Sequence, residues 1–202
     1  MEKIIFLKQY KQKKKLKMIL FLVLISIIIA SIIYTYLIEN KKYLEIKIPE
    51  SRNIFYNNQE PISITPTQIA SDFEQNDDKP ILLYLYTTWC DVCKKNFNQI
   101  NEIAREFQNT DLKIIAISID RDMDKEKLSH YFSQLGNVYF PIQFLAFKEG
   151  FLDLLSQKNI NYNGVIPYTA LISGEGKVII KFSGTKKMKN LRKKIITELY
   201  QI

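Results

Sequence analysis

The chain has one His, one Trp and two Cys among its 202 residues. Two Cys cannot build a disulfide-dense scaffold, and with a single His they cannot supply two four-ligand zinc sites. Gly and Pro are scarce, six of each, while Tyr and Phe number twelve each. That balance excludes a disordered or low-complexity protein over most of the length. The length excludes a multi-domain enzyme and fits one compact domain of roughly 100–150 residues with an appendage. Acidic residues are in the minority, 21 Asp+Glu against 29 Lys+Arg, for a net charge of +8. Where that excess sits decides whether nucleic acid is a partner.

Lys3, Lys8, Lys11, Lys13, Lys14, Lys15 and Lys17 crowd the first 17 residues, opposed only by Glu2. From Met18 to Ile38 (MILFLVLISIIIASIIYTYLI) no residue is charged. As a helix this run is about 31 Å long, the thickness of a bilayer's hydrocarbon core. Its few polar residues, Ser26, Ser31 and Thr35, can bond back to the helix backbone, and Tyr34 and Tyr36 suit the far interface. A soluble core helix would show a polar stripe, and this one has none. The Lys cluster then holds the amino terminus in the cytoplasm and sends everything beyond residue 38 across the membrane. A cleaved signal peptide has a shorter apolar region of about 7–15 residues, and cleavage after Ala30 would place Ile28 where a small residue belongs. The expectation is an uncleaved anchor, with no nucleic-acid partner.

Four regions follow: a basic cytoplasmic tail over 1–17, a transmembrane signal-anchor helix over 18–38, a polar linker over 39–61 and a domain over 62–202. Alternation in Tyr43–Ile48 suggests a short strand within the linker. In the domain, apolar runs predict strands at Ile81–Tyr86, Leu112–Ile119, Val138–Phe144 (broken at Pro141), Tyr168–Ile172 and Lys177–Phe182. Helices are expected over 91–109, Lys125–Leu135, Phe147–Gln157 and Lys186–Tyr200. The first has apolar positions at Val92, Phe97, Ile100, Ile103, Ala104 and Phe107. Ser173-Gly174-Glu175-Gly176 joins the last two strands as a hairpin, so an α/β fold with a mixed sheet follows.

Both Cys lie in Cys90-Asp91-Val92-Cys93, between a strand and a helix. Free N–H groups and the macrodipole at a helix start favour the Cys90 thiolate. Cys93, one turn on, is within sulfur reach, so the pair can cycle between dithiol and disulfide, Cys90 attacking and Cys93 resolving. A purely structural disulfide closing so small a loop stabilises little. A metal half-site lacks a second Cys/His pair, since His130 stands alone on a predicted helix and reads as a surface residue. No metal is expected.

Thr88-Trp89-Cys90-Asp91-Val92-Cys93-Lys94-Lys95 resembles the W-C-x-x-C signature of the thioredoxin superfamily, and is most similar to the membrane-anchored TlpA/ResA-like thiol–disulfide oxidoreductases. Gly164-Val165-Ile166-Pro167-Tyr168-Thr169, with Ala170-Leu171-Ile172-Ser173 and Gly176-Lys177-Val178, resembles that family's second motif. The resemblance covers roughly 62–202. It implies a thioredoxin-like fold, a central mixed sheet flanked by helices, with Pro167 as a cis-proline opposite the cysteines and Ile166 supplying backbone to a bound peptide. Trp89, Asp91 and Val92 are carried over as supporting residues. The chain departs from the pattern at Tyr84, where relatives place Asp, Asn or Glu, which puts a proton-relay role there in doubt. Tyr86 stands for a Trp or similar aromatic, Ala170 and Ser173 for Phe and Asp, and the stretch from Cys93 to Pro167 holds an extra strand and helix.

The resemblance implies protein disulfides as substrates, such as haem-site thiols of apocytochrome c or copper-site cysteines, and a membrane electron donor. No cofactor beyond the Cys90–Cys93 disulfide is expected. Asp91 opposes the Cys90 thiolate, which makes the dithiol the stronger reductant, and Ile before the proline is similar to reducing thioredoxins. Two alternatives stay open: a disulfide oxidase or isomerase, with 124–159 imitating a helical insertion, and a non-catalytic Cu(I)- or cysteine-binding module. The Lys- and Ile-rich, Ala-poor composition suggests an AT-rich genome; a bacterial inner membrane with the catalytic domain periplasmic is the default expectation, and a eukaryotic secretory location stays open as the alternative.

Overall fold

The computed structural model describes residues 2–44, 46, 48–49, 54–56, 59–121, 124–184 and 188–201. The chain divides into two units, Met1–Lys47 and Ile48–Ile202.

The first unit is one helix, α1 (Glu2–Leu44). Its stretch Lys17–Glu39 has mean hydropathy 2.8 with no part buried, long and apolar enough to cross a membrane. Ser26 Oγ donates to the Val23 carbonyl at 2.8 Å, Ser31 Oγ to Ile28 at 2.8 Å and Thr35 Oγ1 to Ile32 at 2.9 Å. Each hydroxyl is thus satisfied without water, as the sequence requires of them. The helix does not end at Ile38. Tyr43 and Leu44 close it, so the expected strand at Tyr43–Ile48 is absent from the described part, while Glu45 and Lys47 lie outside the described residues.

The second unit is a six-stranded sheet in the order β1-β4-β3-β2-β5-β6, with helices on both faces. Its elements are β1 (Ile62–Ile64), α2 (Pro66–Glu74), β2 (Ile81–Tyr86), α3 (Asp91–Glu106), β3 (Lys113–Ser118), α4 (Lys125–Ser133), β4 (Gln143–Leu145), α5 (Phe151–Gln157), β5 (Tyr168–Ile172), β6 (Val178–Ser183) and α6 (Met188–Tyr200). Strands β1, β4, β3 and β2 run parallel, and β5 and β6 join antiparallel, which makes the sheet mixed as expected.

All six residues of β2 are buried, because successive side chains enter opposite covered faces. Ile81, Leu83 and Leu85 pack with Ile69 of α2 and Leu154 and Leu155 of α5. On the other face Tyr84 and Tyr86 stack at 5.4 Å, and Tyr86 meets Phe132 of α4 edge-on at 6.1 Å, with Phe97 of α3 5.6 Å from Phe132.

Several elements differ from the sequence reading for physical reasons. β1 and α2 were not expected. Thr65 caps α2 in a full capping box with Gln68, and Pro66 occupies the first turn, where its missing N–H is not needed. The strand expected over Val138–Phe144 forms only from Gln143 to Leu145, since Pro141 has no N–H to give the ladder. The helix expected from Phe147 starts at Phe151, behind Gly150 at φ +77°. Val92 is exposed and leaves the buried face of α3. Lys186 lies outside the described residues, and α6 is described from Met188.

Part of the stretch read as a linker is docked. Ile54 N donates to Gln108 Oε1 at 3.1 Å, Gln108 Nε2 donates to the Ile54 carbonyl at 2.6 Å, and Tyr56 N donates to the Val138 carbonyl at 2.8 Å. Phe55 packs its ring 5.2 Å from that of Tyr139.

Candidate active site

Strand β2 ends at Tyr86, and four residues later Cys90 caps α3 in extended conformation, with φ −85° and ψ 108°. The backbone N–H of Cys93 donates to Cys90 Sγ at 3.1 Å. One of the orphan donors of the helix start is therefore aimed at the sulfur that the sequence names as the attacking one. Cys90 and Cys93 are joined as a disulfide, their Cα atoms 5.1 Å apart. Cys90 is the more accessible at 8% exposed against 1% for Cys93, so an incoming disulfide meets Cys90 first.

Around them, Trp89 is 71% exposed and Val92 also faces solvent. Asp91 is in the first turn of α3, where its charge suits the dipole, and Lys94 Nζ lies 3.7 Å from its Oδ1. That cation offsets part of the repulsion between Asp91 and a Cys90 thiolate. Tyr84, beneath the site, donates its hydroxyl to the Cys93 carbonyl at 3.1 Å. Burial first, and then the neighbouring Tyr131, pushes its pKa well above the ordinary phenol value. It is thus neutral at working pH with its O–H held in a structural bond, and does not supply the buried proton acceptor that a carboxylate would.

The antiparallel register pairs Leu85 with Tyr168, so Pro167 falls across from Tyr86, at the end of β2 that leads to Cys90. The Ile166–Pro167 peptide bond is cis. Pro167 is buried, Ile166 half-buried and Val165 exposed. His130 is exposed on α4 beside Gln134, away from any metal-ligating cluster. Among the described residues no three His, Cys, Asp or Glu side chains gather as a metal site.

The sequence reading missed two polar groups that shape the site. Asp120, 7% exposed, accepts from Thr88 N at 2.9 Å, Thr88 Oγ1 at 3.3 Å and Ser118 Oγ at 2.6 Å. Thr88 lies two residues before Cys90, so this carboxylate fixes the turn that delivers the cysteine. A signal was present: parallel pairing of Tyr86 with Ser118 sets the next polar residues of both strands, Thr88 and Asp120, side by side. Asn96, buried on α3, donates from Nδ2 to the Gly184 carbonyl at 2.8 Å. It looked like one more polar helix residue, and nothing local distinguished it.

Chemically, the arrangement holds two sulfurs at a helix start, one outward and one inward, beside a proline loop. Known proteins of similar sequence or fold are thiol–disulfide proteins by name. A thiol:disulfide interchange protein, DsbE, of Yersinia pestis is 29% identical over 120 residues, covering 58% of this chain and 57% of that protein. The thiol-disulfide oxidoreductase ResA of Bacillus subtilis is 29% identical over 108 residues, 53% and 54% of the two chains. The chain thus spans little more than half the length of these curated relatives. Among solved structures, a thiol:disulfide interchange protein of the thioredoxin family from Chlorobium tepidum superposes with TM-score 0.50 at 13% identity, covering 62% of this chain and 83% of that one. The thioredoxin-like family matches residues 77–178, from the turn before β2 to the first residue of β6, and the chain belongs to that family.

Proposed function

We propose that the protein is a membrane-tethered thiol–disulfide oxidoreductase that reduces protein disulfides outside the cytoplasm through Cys90 and Cys93. The observation that carries this reading is Cys90 at the cap of α3, with the Cys93 N–H donating to its sulfur. The names of the Yersinia and Bacillus relatives support exchange of disulfides as the chemistry. In the reduced protein the Cys90 thiolate attacks one sulfur of a substrate disulfide, and the other sulfur leaves as a thiolate. Cys93, deprotonated, then attacks Cys90 and expels the second substrate thiolate. Two electrons pass to the substrate, two protons follow to its thiols, and the enzyme ends as the disulfide seen here. No other cofactor is required for that balance. A membrane donor carrying electrons from the cytoplasm returns the pair to the dithiol.

The Lys-rich flank before Lys17–Glu39 supports an amino terminus inside and the domain outside. In this reading 1–17 is the basic tail, 18–38 the anchor, 39–61 the linker and 62–202 the catalytic domain. Asp91 supports the reducing direction, because a carboxylate beside Cys90 withholds the thiolate stabilisation that makes strong oxidants of this class. Equilibration with glutathione buffers tests the direction. A potential close to thioredoxin's, about −270 mV, is expected, and one near about −120 mV overturns it in favour of an oxidase. Turnover is tested by reduction of insulin. Both Cys90→Ser and Cys93→Ser abolish it, and Cys93→Ser retains the client as a mixed disulfide on Cys90. The clients expected there are secreted proteins with paired cysteines, such as apocytochrome c or copper-site proteins. No turnover by the wild type, with stoichiometric Cu(I) uptake, replaces the enzyme with a binding module.

A further inference from the structure

Two stretches meet a bound peptide in the reading above: the start of α3, which carries the cysteines, and the loop before β5, which carries Ile166 and Pro167. A two-bond bridge connects them through Gly184. The Gly184 N–H donates to the Pro167 carbonyl at 2.9 Å, continuing the β5–β6 ladder by one step. The Gly184 carbonyl accepts from Asn96 Nδ2 at 2.8 Å. Gly184 sits at φ +74°, a conformation open to glycine and strained for other residues, and in it both backbone groups are used. Asn96 itself is 2% exposed, three residues after Cys93. Its neighbours on the buried face of α3, Phe97, Ile100, Ile103 and Ala104, are apolar. A buried amide is costly to keep in such a face unless its bonds hold something.

We propose that Asn96 is a positioning residue that, through Gly184, sets the spacing between the cysteine pair and the Ile166–Pro167 backbone, and so selects for disulfides carried on an extended peptide. This rests on the oxidoreductase reading. A peptide laid along Ile166 keeps its backbone contacts there while presenting its disulfide to Cys90 only if the two stretches hold their spacing, so a shift in that spacing costs the peptide hydrogen bonds and weakens its binding. A small disulfide with no peptide backbone reaches Cys90 without that register and does not depend on it.

The test uses the full-length chain in lipid nanodiscs, with Asn96→Ala and Asn96→Asp beside the wild type. Asn96→Asp is isosteric but has no donor, and its carboxylate faces a carbonyl. Rates are measured on a disulfide-bonded peptide and on hydroxyethyl disulfide. Both variants are expected to raise KM for the peptide about tenfold, the upper range for loss of one hydrogen bond, with a much smaller change in kcat. The ratio of peptide to small-disulfide kcat/KM falls accordingly. Equal losses on both substrates, no loss on either, or wild-type KM in Asn96→Asp overturns the proposal alone. A wild type that reduces neither substrate removes the oxidoreductase reading, and the proposal with it.

Discussion

At the scale of single residues, the site depends on polar groups that are buried and satisfied. Asp120 is the clearest. Removing its three accepted bonds leaves Thr88 N–H and the Ser118 hydroxyl without a partner in an enclosed place. An unsatisfied buried donor costs about 1–3 kcal/mol. Asp120→Ala is therefore expected to lower the unfolding free energy by about that amount, read by urea titration, and to slow insulin reduction because Cys90 loses its fixed approach. Asp120→Asn keeps one acceptor oxygen and falls between the two. Tyr86 offers the opposite case: its hydroxyl is buried with no partner among the described residues. Tyr86→Phe removes a group that burial penalises and leaves the ring packing on Tyr84 and Phe132, so thermal stability is expected to hold or rise. A loss of several degrees in Tm would show that the hydroxyl has a partner that matters.

Elements differ in how plainly the sequence announced them. β2, β3 and β5 are buried runs bounded by polar turns, and their observed limits agree with the sequence reading to within one residue at each end. α3 was legible from the spacing of its apolar residues, and the cysteines were legible because both fall in one tetrad between a predicted strand and a predicted helix. β1 has three residues, too few to show a period, and its partner β4 lies 81 positions later, as in the Ser63–Phe144 pair, so this edge strand was not visible locally. The Thr65–Gln68 box was the one sign of α2. Asn96 and Asp120 escaped for a related reason: their partners lie 88 and 32 residues away along the chain. The cluster formed by β2 and α4 also makes a pH prediction. Burial raises Tyr84 and Tyr86 well above their ordinary value and pushes Tyr131 up to about 12, with the Asp120 carboxylate adding to the last. These phenols ionise in the unfolded chain near pH 10 but remain protonated in the fold. Above that pH the unfolded state binds fewer protons, so stability is complete below about pH 10 and declines as pH rises further. Urea midpoints between pH 9 and 12 check this, and Tyr84→Phe is expected to flatten the decline.

For the molecule as a whole, the proposed orientation rests on charge on either side of the apolar helix. Seven Lys precede Met18, whereas Lys41, Lys42, Lys47 and Arg52 follow Ile38 within a similar distance. Orientation responds to Lys and Arg counted within about 15–20 residues of the span, so the amino-terminal flank dominates, but only by seven to four. Replacing Lys13, Lys14, Lys15 and Lys17 by Gln leaves three against four and removes the bias. The expected result is a mixed population, with part of the chain retaining its thioredoxin-like domain in the cytoplasm. Protease added to bacterial spheroplasts reads this directly, digesting the domain fully in the wild type and only in part in the variant. The functional consequence is distinct from loss of activity. A misoriented domain keeps its cysteines but meets the reducing cytoplasm, where they are held as the dithiol and have no oxidised clients. Alkylation of spheroplast protein after acid quench should therefore find two thiol populations in the variant, the protease-protected one reduced. If the variant remains fully digestible, the orientation is set by something other than the Lys cluster.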